Sequence, residues 1–190
     1  MRPPSTPAMP LPDAVLVARV LAGDDRHAFA ELTRRHQGAV RALLRRLTKN
    51  DHGLADDLAQ DTFLQVYRSL RQFRGDARFA TWIYRIAYNI FLAHVRSSHP
   101  EEALPEQLPD DPSGPSLSHA SAMRMDLARA LATLSEGERA AITQCYYQDL
   151  SHEEAAYVLG CPLGTVKTNV LRAKRKLRTL LQAWAPTGTQ

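Results

Sequence analysis

At 190 residues the chain suits one domain or two small ones, and its 44% hydrophobic and 23% charged residues describe an ordinary globular protein with a core. No apolar run approaches the roughly eighteen residues of a membrane span, and neither end reads as a signal peptide. The two cysteines, Cys145 and Cys161, lack metal-ligand spacing, so a membrane-inserted protein and a cysteine–metal module are excluded and a cytoplasmic protein with reduced thiols is expected.

The net charge of +4 hints at a polyanionic partner, and its distribution says more. Residues 155–190 carry no acid but hold Lys167, Arg172, Lys174, Arg175, Lys176 and Arg178, whereas residues 97–123 carry acids and no lysine or arginine. Segregation of this kind points to nucleic acid.

In chain order, residues 1–12 hold five prolines and read as a mobile tail. Asp13 is suited to cap a first helix over 14–22, with Gly23 as its stop. A long second helix follows from about 25 to 49, with Phe29, Leu32, Val40, Leu43 and Leu47 as its apolar stripe and His36 filling the gap. Asn50-Asp51-His52-Gly53 reads as a turn. The third helix, roughly 54–71, buries Leu54, Leu58, Val66 and Leu70, and carries Asp56, Asp57, Gln60 and Asp61 near its start. Carboxylates there favour the helix dipole; equally, the stretch 51–67 lacks lysine and arginine and offers an acidic surface to a basic partner.

Residues 73–91 contain six of the thirteen aromatic side chains, Phe73, Phe79, Trp82, Tyr84, Tyr88 and Phe91, among three arginines, with Arg71 and Arg96 flanking. The plain reading is an aromatic core with a wet arginine face; the other is a surface that stacks unpaired bases and holds their backbone. The helical pattern breaks around Gly75, and a fourth helix runs from about 79 to 97. Ile83, Ile86 or Ala87, and Ile90 are its expected buried stripe, with Trp82, Arg85, Tyr88 and Asn89 on other faces. Residues 99–120, rich in proline, acid and serine, read as a flexible acidic linker.

Helical periodicity resumes near 121 with Met125, Leu127 or Ala128, Leu131 and Leu134. Ser135-Glu136-Gly137-Glu138 and Ser151-His152-Glu153-Glu154 fit capping boxes, opening helices over 139–147 and to about 159. Gly160-Cys161-Pro162 forms a tight turn before a last basic helix to about 181. Cap, short helix, glycine turn and longer basic helix make a helix-turn-helix plan. In the last helix Val166, Val170, Ala173 and Leu177 form the buried stripe, leaving Thr165, Lys167, Thr168, Asn169, Leu171, Arg172, Lys174, Arg175 and Lys176 mainly outward. Lys167, Thr168, Asn169 and Arg172 have the chemistry to read base edges, Leu171 could meet a thymine methyl, and Arg175, Lys176 and Arg178 suit phosphates or form a solvated basic face.

The two motifs together resemble the extracytoplasmic-function (ECF) sigma factors of bacterial RNA polymerase. Asp56-Asp57-Leu58-Ala59-Gln60-Asp61-Thr62-Phe63 looks like the family's core-polymerase-binding segment, residues 73–89 like the stretch that melts and reads the −10 element, and residues 150–177, with Gly160-Cys161-Pro162-Leu163-Gly164-Thr165-Val166-Lys167, like its −35-binding helix-turn-helix. The resemblance implies an all-α fold: a four-helix sigma region 2 domain (13–98), a linker (99–120), a region 4 domain (121–185) and a short tail (186–190). It implies that Asp56, Asp57, Gln60, Asp61, Phe63 and Leu64 dock on polymerase core, through its beta and beta-prime subunits. It assigns −10 DNA to Arg71, Phe73, Arg74, Gly75, Asp76, Arg78, Phe79, Thr81, Trp82, Arg85, Tyr88 and Asn89, with a flipped base held by the loop at 73–81. It assigns the −35 duplex to Thr165, Lys167, Thr168, Asn169, Leu171, Arg172, Lys174 and Arg175. An anti-sigma protein is the implied regulator, with no metal, cofactor or catalytic residue.

The family often has an aspartate where this chain has Ala93 and a serine-arginine pair where it has Thr168-Asn169; the second departure falls where bases are read and leaves the −35 sequence preference open. A competing reading is a DNA-binding regulator that uses the helix-turn-helix without polymerase. An enzyme is disfavoured, because no nucleophile–base pair or glycine-rich phosphate loop is found.

Overall fold

The computed structural model describes residues 11–48, 51–98 and 119–184, and the described residues form helices and turns with no strand. The expected tail and linker lie almost wholly outside them. The chain divides into two compact units, residues 1–90 and 91–190. The division falls inside a continuous helix, earlier than the boundary after 98 that composition suggests.

In the first unit, α1 (Asp13–Gly23) is preceded by Pro12 at the N-cap, and no side chain among the described residues caps it. Asp13 therefore does not serve as the cap expected of it; its carboxylate is taken by Arg35 and His36. Asp24 ends the helix in the left-handed region, with its N–H on Val20 O. Asp25 caps α2 (Arg26–Leu47) by accepting from Ala28 N–H at 3.0 Å. Asp51 does the same for α3 (His52–Ser69) through Leu54 N–H at 3.0 Å. Of the expected turn at 50–53, residue 50 lies outside the described residues and 51–53 are a helix start: an aspartate in extended conformation satisfies an orphan N–H, and His52 and Gly53 are already helical. Leu16, Val20, Leu32, Val40, Leu43, Leu44, Leu58 and Val66 are buried between these three helices. A short 3-10 turn (Leu70–Gln72) ends α3 before α4 (Phe79–Ser98), whose Ile83 and Ala87 are fully buried.

The first helix lying wholly in the second unit is α5 (His119–Ala132), which takes in the last two residues expected of the linker. Ala130 of this helix and Leu134 just beyond it are buried, while Met125 and Ala128, expected inside, are exposed. Both capping boxes form, at Ser135/Glu138 and Ser151/Glu154. They open α6 (Glu136–Ile142) and α7 (His152–Leu159). The expected helix over 139–147 is α6 followed by a π-helical turn, Thr143–Tyr147. The last helix, α8 (Leu163–Leu180), packs on α5, α6 and α7 through Val166, Val170 and Ala173, all buried. Trp184, in a 3-10 turn (Gln182–Trp184), donates its indole N–H to Asp126 at 3.0 Å and ties that turn to α5.

Candidate nucleic-acid interface

The aromatic segment of the first unit is built around a reversal. Gly75 has φ +80, a conformation that an L side chain resists, and it lets the loop fold back between α3 and α4. Phe73 then meets Phe79 edge-on, with ring centroids 5.3 Å apart, and Trp82 at 5.2 Å. Trp82 stacks on Phe79 at 5.8 Å. Arg71, Arg74, Gly75, Asp76 and Arg78 are exposed around this cluster, Phe73, Trp82 and Arg85 are partly exposed, and Asn89 faces outward.

Three of the residues assigned to the −10 strand are enclosed beneath this surface. Phe79 and Tyr88 are buried and Thr81 is fully enclosed, so these three belong to the packing beneath the surface. The reason is helical phase: Tyr84, Tyr88 and Phe91 share a face with Ile83 and Ala87, and their large rings gain more from burial than Ile86 or Ile90, which stay half-exposed. Burial pushes the Tyr84 phenol up, with Arg78 opposing.

On α3 the acidic face divides in two. Asp57, Gln60, Asp61 and Leu64 are exposed, Leu64 by 47%, and Phe63 is partly so. Asp56 points back to α2, with one oxygen 3.3 Å from Arg41 Nε and 3.8 Å from an Arg45 nitrogen. Its side chain remains 45% exposed. Sequence spacing gave no sign of the pairing, because the partners sit on a different helix.

In the second unit the helix-turn-helix forms as its residues suggest. Gly160 (φ +63) ends α7 in the left-handed region, and its N–H and that of Cys161 both reach Ala156 O. Ala155 and Val158 meet the Val166 face with no exposure left. Thr165, Lys167, Thr168, Leu171, Arg172, Lys174 and Arg175 are exposed along α8. This puts cationic donors, a hydroxyl and an apolar side chain on one helical surface, the mix that base edges and phosphates take.

Two positions depart from that surface. Asn169 is half-buried against α6, where a Cβ on Gly137 would stand 3.0 Å from its amide nitrogen. Lys176, expected at a phosphate, donates to Glu138 Oε2 at 2.7 Å. Glu138 is 4% exposed, and Lys176 together with the Ser135 N–H holds its carboxyl below the usual range. Tyr146, which the sequence did not single out, is exposed beside the α8 surface with Lys174 Nζ 4.9 Å from its ring centroid. Among the described residues no group of three or more histidine, cysteine or acidic side chains could hold a metal ion, and no helix is long and apolar enough to cross a membrane.

Comparison with known proteins matches residues 32–100 to Sigma-70 region 2 and residues 124–177 to Sigma-70, region 4. The chain is 39% identical over 160 residues to the ECF RNA polymerase sigma factor SigE of Mycolicibacterium smegmatis, covering 81% of this chain and 62% of that protein's length. It is 34% identical over 185 residues to the ECF RNA polymerase sigma-E factor of Escherichia coli, covering 90% of this chain and 95% of that one. Among solved structures, the sigma factor RpoE in complex with the anti-sigma factor NepR from Bartonella quintana aligns with TM-score 0.65 at 27% identity, over 81% of this chain and 96% of that one. CnrH in complex with the cytosolic domain of CnrY aligns with TM-score 0.66 at 28% identity, over 90% and 97%.

Proposed function

Because this chain belongs to the ECF sigma factors of bacterial RNA polymerase, we propose that its two helical units divide promoter recognition into a single-strand reader and a duplex reader. As a member of that family the chain directs transcription initiation. The observation that carries the division of labour is the pairing, in one chain, of a partly exposed aromatic cluster ringed by arginines with a helix-turn-helix whose last helix is cationic on its outer face.

In the first unit, Asp57, Gln60, Asp61 and Leu64 of α3 offer polymerase core an acidic surface with an apolar centre. The −10 strand is assigned to Phe73, Trp82, Arg71, Arg74, Arg78, Arg85 and Asn89. Extruding a base costs a few kcal/mol, and stacking on an aromatic ring contributes about 1–3 kcal/mol, so a cluster of this size suffices to hold one open. In the second unit, the N-terminal half of α8 reads the −35 bases through Lys167, Thr168, Leu171 and Arg172, while Lys174 and Arg175 take the backbone. Asn169, half-buried, contributes less to base reading than its position suggests. The protein works in the cytoplasm, without catalysis of its own, and is held in check by an anti-sigma partner of the kind present in the RpoE–NepR structure.

The test is reconstitution. Mixed with core polymerase, the full chain is expected to form a stable holoenzyme and to give run-off transcripts from a subset of a genomic promoter library. Tight promoter binding without core, together with no retention on immobilised core, would favour a regulator acting through the helix-turn-helix alone. Within the holoenzyme, Trp82→Ala is expected to impair open-complex formation while leaving core binding intact; equal loss of both would assign Trp82 to the core of the unit.

A further inference from the structure

The second unit displays an aromatic ring that neither its core nor the helix-turn-helix plan requires. Tyr146 lies in the π-helical turn that follows α6. Thr143 and Gln144, at the start of that turn, are buried, whereas Tyr146 is 53% exposed. The turn inserts an extra residue into the helical repeat, which swings the following side chains outward. Nζ of Lys174 stands 4.9 Å from the Tyr146 ring centroid, within the range of a cation–π contact.

Lys174 follows Lys167 by seven residues, so the two share a face of α8 and lie roughly 10 Å apart along its axis. Leu171, 49% exposed, sits between them. A recognition helix that enters the major groove by its N-terminal end is leaving the bases two turns later, where it meets phosphates. An exposed lysine ordinarily samples many rotamers, and fixing one of them on binding costs affinity. A ring under the ammonium restricts that sampling beforehand. It uses the cation's charge and leaves its N–H donors available to phosphate oxygens.

We propose that Tyr146 is a positioning residue for duplex DNA: its ring holds Lys174 at the flank of the α8 surface, where the ammonium meets a backbone phosphate beside the bases read by the N-terminal half of the helix. The inference rests on the reading of α8 as the duplex reader.

The experiment measures binding of the holoenzyme, full chain plus core, to the −35 duplex of a promoter recovered by run-off transcription, over a series of salt concentrations. Lys174→Met is expected to weaken binding and to lower the salt-dependence slope by about 0.9, one phosphate's worth. Tyr146→Leu is expected to weaken binding roughly three-fold, the size of one exposed cation–π contact, and Tyr146→Phe to keep wild-type affinity because it keeps the ring. The double variant Tyr146→Leu/Lys174→Met should bind no more weakly than Lys174→Met alone. Wild-type affinity for Tyr146→Leu, or additive losses in the double variant, would overturn the proposal. Arg172→Ala separates the two levels of the argument. If Arg172→Ala weakens binding and Tyr146→Leu does not, the role of Tyr146 alone is rejected; if neither does, the duplex-reading face of α8 falls with it.

Discussion

The imidazole of His36 joins two parts of the first unit: its Nε2 donates to the Asp13 carboxylate at 2.7 Å, and its ring meets Phe79 edge-on with centroids 5.5 Å apart. Through this one side chain α1 is coupled to the ring cluster that carries Phe73 and Trp82. Arg35 donates to the same carboxylate at 3.1 Å and is itself anchored by Glu31 at 2.8 Å. The groups are partly buried, His36 with 14% and Asp13 with 28% of the side chain exposed, so their loss should be felt. Asp13→Ala is expected to cost about 1 kcal/mol, the usual net worth of such a bond, or roughly 4–8 °C in Tm for a unit of this size. Thermal unfolding followed by circular dichroism measures it. An unchanged Tm would mean that α1 is held by Leu16, Val17 and Val20 alone.

The two fates of the α3 aspartates make a second, sharper contrast. Asp61 is exposed, whereas Asp56 is engaged by Arg41 and Arg45. Asp61→Lys should therefore weaken association with core polymerase by on the order of ten-fold, through charge repulsion at the interface, with little change in Tm. Asp56→Ala should do the reverse, lowering stability by up to about 1 kcal/mol because two arginines lose their counter-charge, with core affinity largely kept. Titration of labelled core with each variant, beside its melting curve, distinguishes them. A ten-fold loss of core affinity in Asp56→Ala would return that residue to the interface.

These contrasts show where the sequence was readable. Local signals were: both capping boxes and the glycine at 160 form as read, and of the stripe Val166, Val170, Ala173 and Leu177, spaced three or four residues apart, the first three are buried and Leu177 is partly exposed. Contacts between helices were not. That Lys176 belongs to Glu138, Asp56 to Arg41 and Asn169 to the space above Gly137 depends on how helices cross, which spacing along one helix does not encode. The same holds for Tyr88, whose side of α4 was decided by ring burial against a choice between neighbouring faces. Asp149 adopts φ +51 between the π-helical turn and the Ser151 cap, a conformation for which glycine is the usual marker, so nothing local announced it.

Glu138 gives a prediction in pH. Its carboxylate accepts from Lys176 at 2.7 Å and from the Ser135 N–H at 2.9 Å, and both lower its pKa from the ordinary 4.5. A carboxyl whose folded pKa is depressed adds stability above its unfolded value and loses it as pH falls through the folded one. Glu138→Gln keeps a capping side chain but removes the charge. The variant should be less stable than the parent by about 1 kcal/mol at neutral pH, and the gap should close as pH falls below 4.5. Urea unfolding of both proteins across that range tests it. A gap independent of pH would assign the effect to shape and not to charge.

Gln144 supplies the last prediction, and its sign is the opposite. The side chain is fully enclosed, yet among the described residues neither its amide nitrogen nor its amide oxygen has a hydrogen-bond partner. Its backbone carbonyl is satisfied by the Leu150 N–H at 3.2 Å, so the unmet need lies in the side chain. A buried polar group left unpaired costs about 1–3 kcal/mol, whereas an apolar group of the same shape avoids that penalty. Methionine matches glutamine in length and flexes to fill an irregular space. Gln144→Met should therefore raise stability by about 1 kcal/mol or more, moving Tm upward by several degrees. Gln144→Ala should lower it by leaving a void in the packing under the π-helical turn. A fall in Tm for Gln144→Met as well would mean that the amide finds a partner in solution and that this buried group stabilises the turn.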